Sequence, residues 1–337
     1  MKKRIKAIVT GGAGFIGSHI VDSLIDRGVE TYVIDNFTTG SLDNLAKYAN
    51  NKLIHIVTGD IKDIHKLMPE TKDIDIFFHQ AAIASVVASI ENPLLINDVN
   101  VTSTLKVMDY CVKQGINRFV FASSAAVYGV VGDVAISEDL LCRPNTPYGA
   151  GKLACENYLQ AYHSTYGLET VMLRYFNVYG PRQAYTESSV VINNFTNKLV
   201  NNESPVIYGD GLQSRDFVHV SDIVQANMAA LEKTDIAGES FNIASGKSYT
   251  INDILYILKQ ITGTEHIQHK SAAPREGDVR FGKASIRKAT DKLGYMPKMS
   301  LYEGLKQFVE FTRNKSQTSS NQQILLKQFN QEKDGKI

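Results

Sequence analysis

Lys6-Ala7-Ile8-Val9-Thr10-Gly11-Gly12-Ala13-Gly14-Phe15-Ile16-Gly17 runs from a short apolar stretch through a glycine-rich turn into a segment where Ile20, Leu24 and Ile25 share one helical face. The order is strand, turn, helix. Glycines at this turn permit a tight bend, let backbone N–H groups approach a pyrophosphate, and bring the helix close to the strand. Both Gly12-x-Gly14-x-x-Gly17 and Gly11-x-x-Gly14-x-x-Gly17 can be read from it. A second apolar run, Thr31 to Ile34, ends in Asp35-Asn36, about twenty residues on, where a carboxylate can accept both hydroxyls of an adenosine ribose. Its charge would repel a 2′-phosphate, and no arginine follows in Asn36-Phe37-Thr38-Thr39. The stretch therefore predicts NAD rather than NADP. Asp60-Ile61, after the third run, is placed to meet the adenine ring, although an Asp in a turn also reads as a local cap.

Outward from this unit, apolar runs recur at Leu53 to Val57, Ile74 to Phe78, Arg118 to Ala122 and Thr170 to Arg174, separated by helical segments at Pro93 to Gln114 and Tyr148 to Tyr166. Alternation of this kind predicts an α/β fold, a Rossmann-type doubly wound parallel sheet. After Tyr175 the pattern loosens into loops rich in Gly, Pro, Asn and Ser, broken by helices near 191–200, 220–231 and 251–262. The expected organisation is an NAD-binding Rossmann domain over 1–175, with a later strand and helix near 216–243 returning to it. A smaller C-terminal α/β substrate domain occupies mainly 176–313. The Gln-, Lys-, Asn- and Ser-rich segment 314–337, with one apolar cluster at Ile324-Leu325-Leu326, is expected to be a peripheral tail, helical or disordered, with no catalytic part.

Composition narrows the function classes. The 337 residues are 43% hydrophobic and 21% charged with a formal charge of +1, and beyond Lys2-Lys3-Arg4 there is no dense basic run, so neither a nucleic-acid nor a membrane partner is expected. Cys111, Cys142 and Cys155 are too few and too widely spaced for a disulfide framework or a metal knuckle. They read as structural thiols in a reducing compartment, and no metal is expected. No apolar run approaches bilayer length, and Ile5 to Thr10 leads into the glycine turn rather than a cleavage site. A cytoplasmic location is expected.

Pro147-Tyr148-Gly149-Ala150-Gly151-Lys152 carries the chemistry. Tyr148 and Lys152 stand one helical turn apart. Bringing a phenol from about 10 towards 7 requires roughly 4 kcal/mol of preferential phenolate stabilisation. A neighbouring ammonium supplies part of it and the positive ring of an oxidised nicotinamide adds to the field. Tyr148 is thus a general base for a sugar hydroxyl. Ser123 and Ser124 follow the apolar Phe119-Val120-Phe121, which places at least one hydroxyl at the carboxyl end of the sheet, where ligands bind in open α/β folds.

With these residues in place the chain resembles the extended short-chain dehydrogenase/reductase superfamily, and within it nucleotide-sugar 4-epimerases of the UDP-galactose 4-epimerase type. The resemblance runs from about Lys6 to Phe311. It rests on the turn at 10–17, Asp35-Asn36, Asp60-Ile61, His79-Gln80-Ala81-Ala82, Asn100, Ser123-Ser124-Ala125-Ala126-Val127-Tyr128-Gly129, Tyr148 with Lys152, Tyr175-Phe176-Asn177-Val178-Tyr179-Gly180-Pro181-Arg182, Arg215-Asp216-Phe217-Val218-His219-Val220 and Arg275-Glu276-Gly277-Asp278. It implies that Tyr148 removes the proton of the sugar 4-hydroxyl while hydride passes to tightly held NAD. Ser124 would bond the 4-keto oxygen, and Lys152 would lower the Tyr148 pKa and hold the nicotinamide ribose. The sugar then turns about its phosphate linkage and takes hydride back on its other face. By the same resemblance the cofactor lies against Gly11, Gly14, Phe15, Ile16, Gly17, Asp35, Asn36, Thr39, Gly40, Asp60, Ile61, Gln80, Ala81, Ala82, Asn100, Ser123, Tyr148, Lys152 and Tyr175.

The UDP-sugar would meet Ser85, Ser124, Tyr148, Asn177, Val190, Tyr208, Arg215, Arg275, Asp278 and Gly282. Of these, Tyr208 would stack on uracil, Arg215 and Arg275 would clamp the diphosphate, and Asp278 would meet the nucleotide ribose. Epimerases restricted to glucose and galactose tend to carry a bulky residue where this chain has Gly282, and Ala84-Ser85 resembles the subgroup that accepts N-acetylated sugars. The resemblance therefore implies that UDP-N-acetylglucosamine and UDP-N-acetylgalactosamine are taken alongside UDP-glucose and UDP-galactose, unless Gly282 simply serves a loop turn. A 4,6-dehydratase would need an acid pair where this chain has Ser124-Ala125. UDP-glucuronate 4-epimerase or decarboxylase needs a cation near C6, for which Arg182 is a candidate. A non-catalytic NAD sensor would not need the intact Tyr148 and Lys152. Apolar residues on several faces of the 93–114 and 148–166 segments fit a homodimer, which the resemblance implies, or burial within the monomer.

Overall fold

Alternate residues of the apolar runs feed two different cores, and this decides the layering. In the computed structural model, which describes residues 4–68, 73–185, 191–274 and 280–315, Ala7 and Val9 pack with Phe78, Val120 and Leu173 on one face. Ile8 packs with Phe77, Phe119, Phe121 and Met172 on the other. A sheet apolar on both faces must be covered on both, and a parallel sheet with helical crossovers does this. Seven parallel strands form it: β1 (Lys6–Thr10), β2 (Glu30–Asp35), β3 (Ile54–Thr58), β4 (Ile76–His79), β5 (Arg118–Ser124), β6 (Glu169–Tyr175) and β7 (Glu239–Ile243). Their order is β7-β6-β5-β4-β1-β2-β3.

That order reverses between β1 and β4, so a crevice opens at the carboxyl ends of those two strands, where open sheets bind ligands. Helix α1 (Phe15–Asp26) follows the glycine turn. Two differences from the sequence reading affect the site. β5 runs on to Ser124, which puts both serines in its last residues. The segment read as one helix over 93–114 is helical at Pro93–Asn97, widens into a π turn at Asp98–Thr102, and resumes as α2 (Ser103–Gln114). The widening has a local cause, because the Ser103 hydroxyl donates to the Asp98 carbonyl and the Thr104 hydroxyl to that of Asn100. π turns of this kind gather at functional sites.

Helix α3 (Pro147–Tyr166) begins where Thr146 accepts from the Gly149 amide and Pro147 occupies the first turn, and it ends at Gly167 in the left-handed region. These are the favoured chemistries for the two ends. They place Tyr148 and Lys152 in its first two turns, beside the end of β5. Beyond β6, strands Asn177–Tyr179, Ser214–His219 and Ser248–Thr250 form a three-stranded sheet, and Val206–Tyr208 pairs with Lys270–Ala272. Helices Val191–Val200 and Ile251–Thr262, with helical residues 301–315, enclose a third core of Ile192, Phe195, Phe217, Ile254, Leu258, Leu305 and Phe308. Helix α4 (Val220–Glu232) packs against α1. No helix among the described residues is long and apolar enough to cross a membrane.

Candidate active site

The glycine turn is a backbone-only surface. A Cβ on Gly17 would stand 2.1 Å from the Gly11 carbonyl oxygen, and one on Gly11, itself at φ +65°, would stand 2.8 Å from the Ala81 amide nitrogen. The turn thus tolerates no side chain there. Helix α1 starts at Phe15 and Ile16 with Gly14 as a cap that has no side chain to offer, so its first N–H groups and its dipole are left for an anion. Asp35, only 7% exposed at the end of β2, accepts from the Ala13 amide at 3.0 Å and the Phe37 amide at 2.8 Å. One lone pair on each oxygen remains for ribose hydroxyls. A Cβ on Gly40 would stand 2.9 Å from the Asp35 carboxylate, Asn36 turns back to the Thr38 amide, and Thr39 is exposed beside them. Asp60 accepts from the Lys62 amide and caps a short turn whose first residue, Ile61, is buried.

After β4 the chain is fixed by buried polar contacts. His79 bridges the hydroxyls of Thr10 at 2.7 Å and Thr104 at 2.9 Å, and burial pulls its pKa down to about 3, so the imidazole is neutral. The Thr10 hydroxyl also receives the Ala81 amide. Asn100 spends both ends of its amide on the Ile83 backbone, which shapes the loop carrying Ala82 and Ser85. Ser85 caps the helical turn after it. At the crevice floor the Tyr175 hydroxyl meets Asn227 at 2.8 Å and Gln80 at 3.4 Å. The other amide atoms of those two side chains, Gln80 Nε2 and Asn227 Oδ1, are buried without a partner. Orphaned buried amide groups cost free energy unless a ligand or water meets them, and here they sit where an NAD nicotinamide end would reach. The residues present therefore fit the cofactor.

The reactive groups converge at the end of β5. Ser124 accepts from the Ala126 amide at 3.2 Å and its hydroxyl faces the phenol of Tyr148, drawing that pKa down. Burial acts more strongly and leaves the Tyr148 phenol above its usual value. The part of the lowering expected from the Lys152 ammonium is therefore not seen here, where burial and the Ser124 hydrogen bond set the phenol. The Lys152 ammonium, 4% exposed, donates to the Ala122 carbonyl at 2.7 Å and lies 5.9 Å from the Tyr148 ring centroid. Burial lowers its own pKa to about 8, against the opposing pull of Cys155 and Glu156. The Ser123 hydroxyl points away from this group and donates to Glu156 at 2.5 Å.

On the opposite wall, Asn177 donates to the Asp216 carbonyl at 2.9 Å, and Arg215 donates to its neighbour's carbonyl at Ser214. Tyr208 keeps 37% of its surface exposed. Gly282 is buried against Arg215 without a left-handed φ, so no turn requires a glycine there. Val190, Arg275 and Asp278 lie outside the described residues. Arg182, read as a cation for C6, is paired at 2.7 Å with Asp22 on α1.

Sequence reading missed Glu156 and Arg174. Glu156 could have been found by extending the four-residue ladder from Tyr148 through Lys152 by one more turn. Arg174 gave no local signal.

The model of the NAD dependent epimerase/dehydratase family matches residues 7–244. The chain belongs to this family. Like its relatives, this epimerase/dehydratase-family chain is an NAD-dependent enzyme of epimerase type. A UDP-N-acetylglucosamine 4-epimerase from Methanobrevibacter ruminantium, solved in complex with UDP-N-acetylmuramic acid, is 39% identical with a TM-score of 0.87 over 93% of this chain and 99% of its own. A UDP-glucose 4-epimerase from Thermotoga maritima, solved with UDP-glucose, is 38% identical with a TM-score of 0.85 over 92% and 99%. A UDP-glucuronic acid 4-epimerase from Bacillus cereus, solved with UDP-glucuronic acid and NAD, is 32% identical with a TM-score of 0.85 over 92% and 99%.

Proposed function

We propose that this enzyme is a UDP-sugar 4-epimerase that retains its own NAD and acts on UDP-N-acetylglucosamine and UDP-N-acetylgalactosamine as well as UDP-glucose and UDP-galactose. The observation that carries the reading is the facing pair of hydroxyls, Ser124 and Tyr148, at the carboxyl end of β5, with a buried ammonium beside them. Bound NAD supplies a reversible hydride acceptor for C4. Gly11, Gly14, Gly17 and the first amides of α1 would hold its pyrophosphate, Asp35 its adenosine ribose, and Gln80, Tyr175 and Lys152 its nicotinamide end.

Tyr148 takes the proton of the 4-hydroxyl and later returns it. Its phenolate needs help against burial, which the Lys152 ammonium and the charge of the oxidised cofactor supply together. Ser124 keeps a hydrogen bond on the 4-oxygen through both half-reactions, so the keto form is stabilised without a second acid. Arg215 and Arg275 are assigned to the diphosphate, Asn177 to a diphosphate or sugar oxygen, Tyr208 to the uracil face and Asp278 to the nucleotide ribose, with Val190 also against the UDP-sugar. The missing side chain at 282 leaves room for a 2-acetamido group. Arg182, the cation read for a glucuronate, gives Nη2 to Asp22 on α1 and keeps Nη1 buried without a partner.

A homodimer is part of the proposal. Val87, Ile90, Leu94 and Leu95 are 51%, 63%, 83% and 48% exposed on consecutive helical turns that pack against α3, which itself exposes Tyr158 at 44%. Sedimentation of the purified protein, with Leu94→Glu as the variant expected to give monomer, tests this part.

The test of activity is proton NMR of the purified protein with UDP-glucose and, separately, UDP-N-acetylglucosamine, with no cofactor added. The C4 epimer is expected in both tubes. Conversion of UDP-glucose alone would remove the acetylated substrates, and silence in both would turn attention to UDP-glucuronate.

A further inference from the structure

Three rungs join α3 to the last three residues of β5. Tyr148 faces Ser124, Lys152 donates to the Ala122 carbonyl, and Glu156 accepts from the Ser123 hydroxyl. Residues 148, 152 and 156 lie one turn apart on one helical face. The third rung continues into a buried ion pair, with Glu156 3% and Arg174 6% exposed. Arg174 donates through Nε and Nη2 to the carboxylate at 2.9 and 2.7 Å and through Nη1 to the Tyr128 hydroxyl at 2.8 Å.

We propose that Glu156 is a positioning residue for the reaction: through Ser123 it fixes where Ser124 stands opposite Tyr148, and through Arg174 it presents Lys152 with a charge-neutral neighbour. This rests on the epimerase reading above.

The surroundings leave few other charges to do this. His79 on β4 is held neutral by burial, and burial pushes the Cys155 and Cys142 thiols and the Tyr128 phenol up. Glu138 accepts from the Asn242 amide and its charge acts on Tyr128 rather than on Lys152. Lys152, Glu156 and Arg174 therefore set the local balance. Arg174 cannot shed its proton, so loss of the Glu156 charge removes the anion one turn beyond Lys152, leaves the Arg174 charge uncompensated, and drives Lys152 to release its proton earlier.

The experiment is side-chain NMR of isotope-labelled lysine in the NAD-loaded enzyme without sugar, with the Lys152 signal assigned by its loss in Lys152→Met. In Glu156→Gln the Lys152 titration is expected to fall by about half a unit or more, and in Glu156→Gln/Arg174→Gln to return to within about a quarter of a unit of the parent. An unmoved titration in folded Glu156→Gln, or no recovery in the double variant, overturns the charge role. This readout needs no turnover, so an enzyme that epimerises none of the offered UDP-sugars would sink the activity without touching it. Ser123→Ala keeps both charges and decides the positioning role even where Glu156→Gln does not fold. A severalfold fall in kcat with KM unchanged supports that role, and an unchanged kcat overturns it.

Discussion

Lys152 spends a hydrogen bond on the carbonyl oxygen of Ala122, 2.7 Å away, and so is anchored to the strand that carries Ser124. The ammonium is held by protein rather than by its neighbour one turn back. Its distance from the Tyr148 ring is then set by how α3 docks on β5. A charge fixed in this way is preorganised for a phenolate that forms only during turnover.

The Tyr148 phenol is expected to titrate lower in the NAD-loaded enzyme than in the stripped one. Without cofactor, burial holds it above its usual range, and the positive ring of oxidised NAD reverses part of that shift. Ultraviolet difference titration of each form, with the Tyr148→Phe protein as blank, reads the two values. Equal values would mean that the cofactor charge does not reach the phenol. Tyr148→Phe itself should lower kcat roughly 10²–10⁴-fold while leaving bound NAD in place.

Asp35→Ala should yield enzyme purified largely without NAD. It also removes the acceptor for the Ala13 and Phe37 amides, so stability should drop by about 1–3 kcal/mol even in the absence of cofactor. Cofactor content after denaturation and urea unfolding of the stripped protein separate the two effects. Full NAD occupancy in the variant would contradict the assigned role of Asp35.

Some of this was legible because it is local. The turn at 10–17, Asp35 at the end of its strand and the spacing of Tyr148 and Lys152 each follow from neighbours in sequence. The parallel sheet followed from runs apolar at both parities. What escaped depends on contacts across the chain. Arg182 reads as a free cation until it is seen against Asp22, 160 residues earlier. The π turn at Asp98–Thr102 arises from side-chain hydroxyls that sequence periodicity does not register. Glu156 looks like an ordinary helix residue until Ser123 and Arg174 arrive from two strands.

Stability should fall as the pH drops below about 6.5. Burial holds His79 near 3 and His219 near 4 in the folded protein, while the unfolded chain takes up these protons near the ordinary value. Lowered imidazole values contribute stability above the unfolded pKa and lose it as the pH falls towards the folded one. Asp216 opposes this, because burial raises it to about 6. Its protonated form favours the fold, and that contribution disappears as the pH rises from about 4 to 6. At pH 5 each histidine costs about 2 kcal/mol relative to pH 7 and Asp216 returns about 1 to 2 kcal/mol. Urea unfolding at the two pH values should therefore show a net loss, smaller in a His79→Gln protein. A protein more stable at pH 5 would show that Asp216 dominates.

Gly282→Tyr is the sharpest test of substrate range. A Cβ at 282 would stand 3.1 Å from the Ser214 carbonyl oxygen and 3.5 Å from Arg215 Cδ, so a ring placed there lies along the wall assigned to the diphosphate and sugar. The backbone is not in the left-handed region, which leaves a shift of a few tenths of an ångström at Ser214 as the main strain. Folding should survive. If the empty position admits a 2-acetamido group, kcat/KM on UDP-N-acetylglucosamine should fall about a hundredfold or more while that on UDP-glucose changes by less than about tenfold. Parallel loss on both sugars would instead mean that the ring displaces Arg215, and the gap at 282 would then have no bearing on which sugar enters.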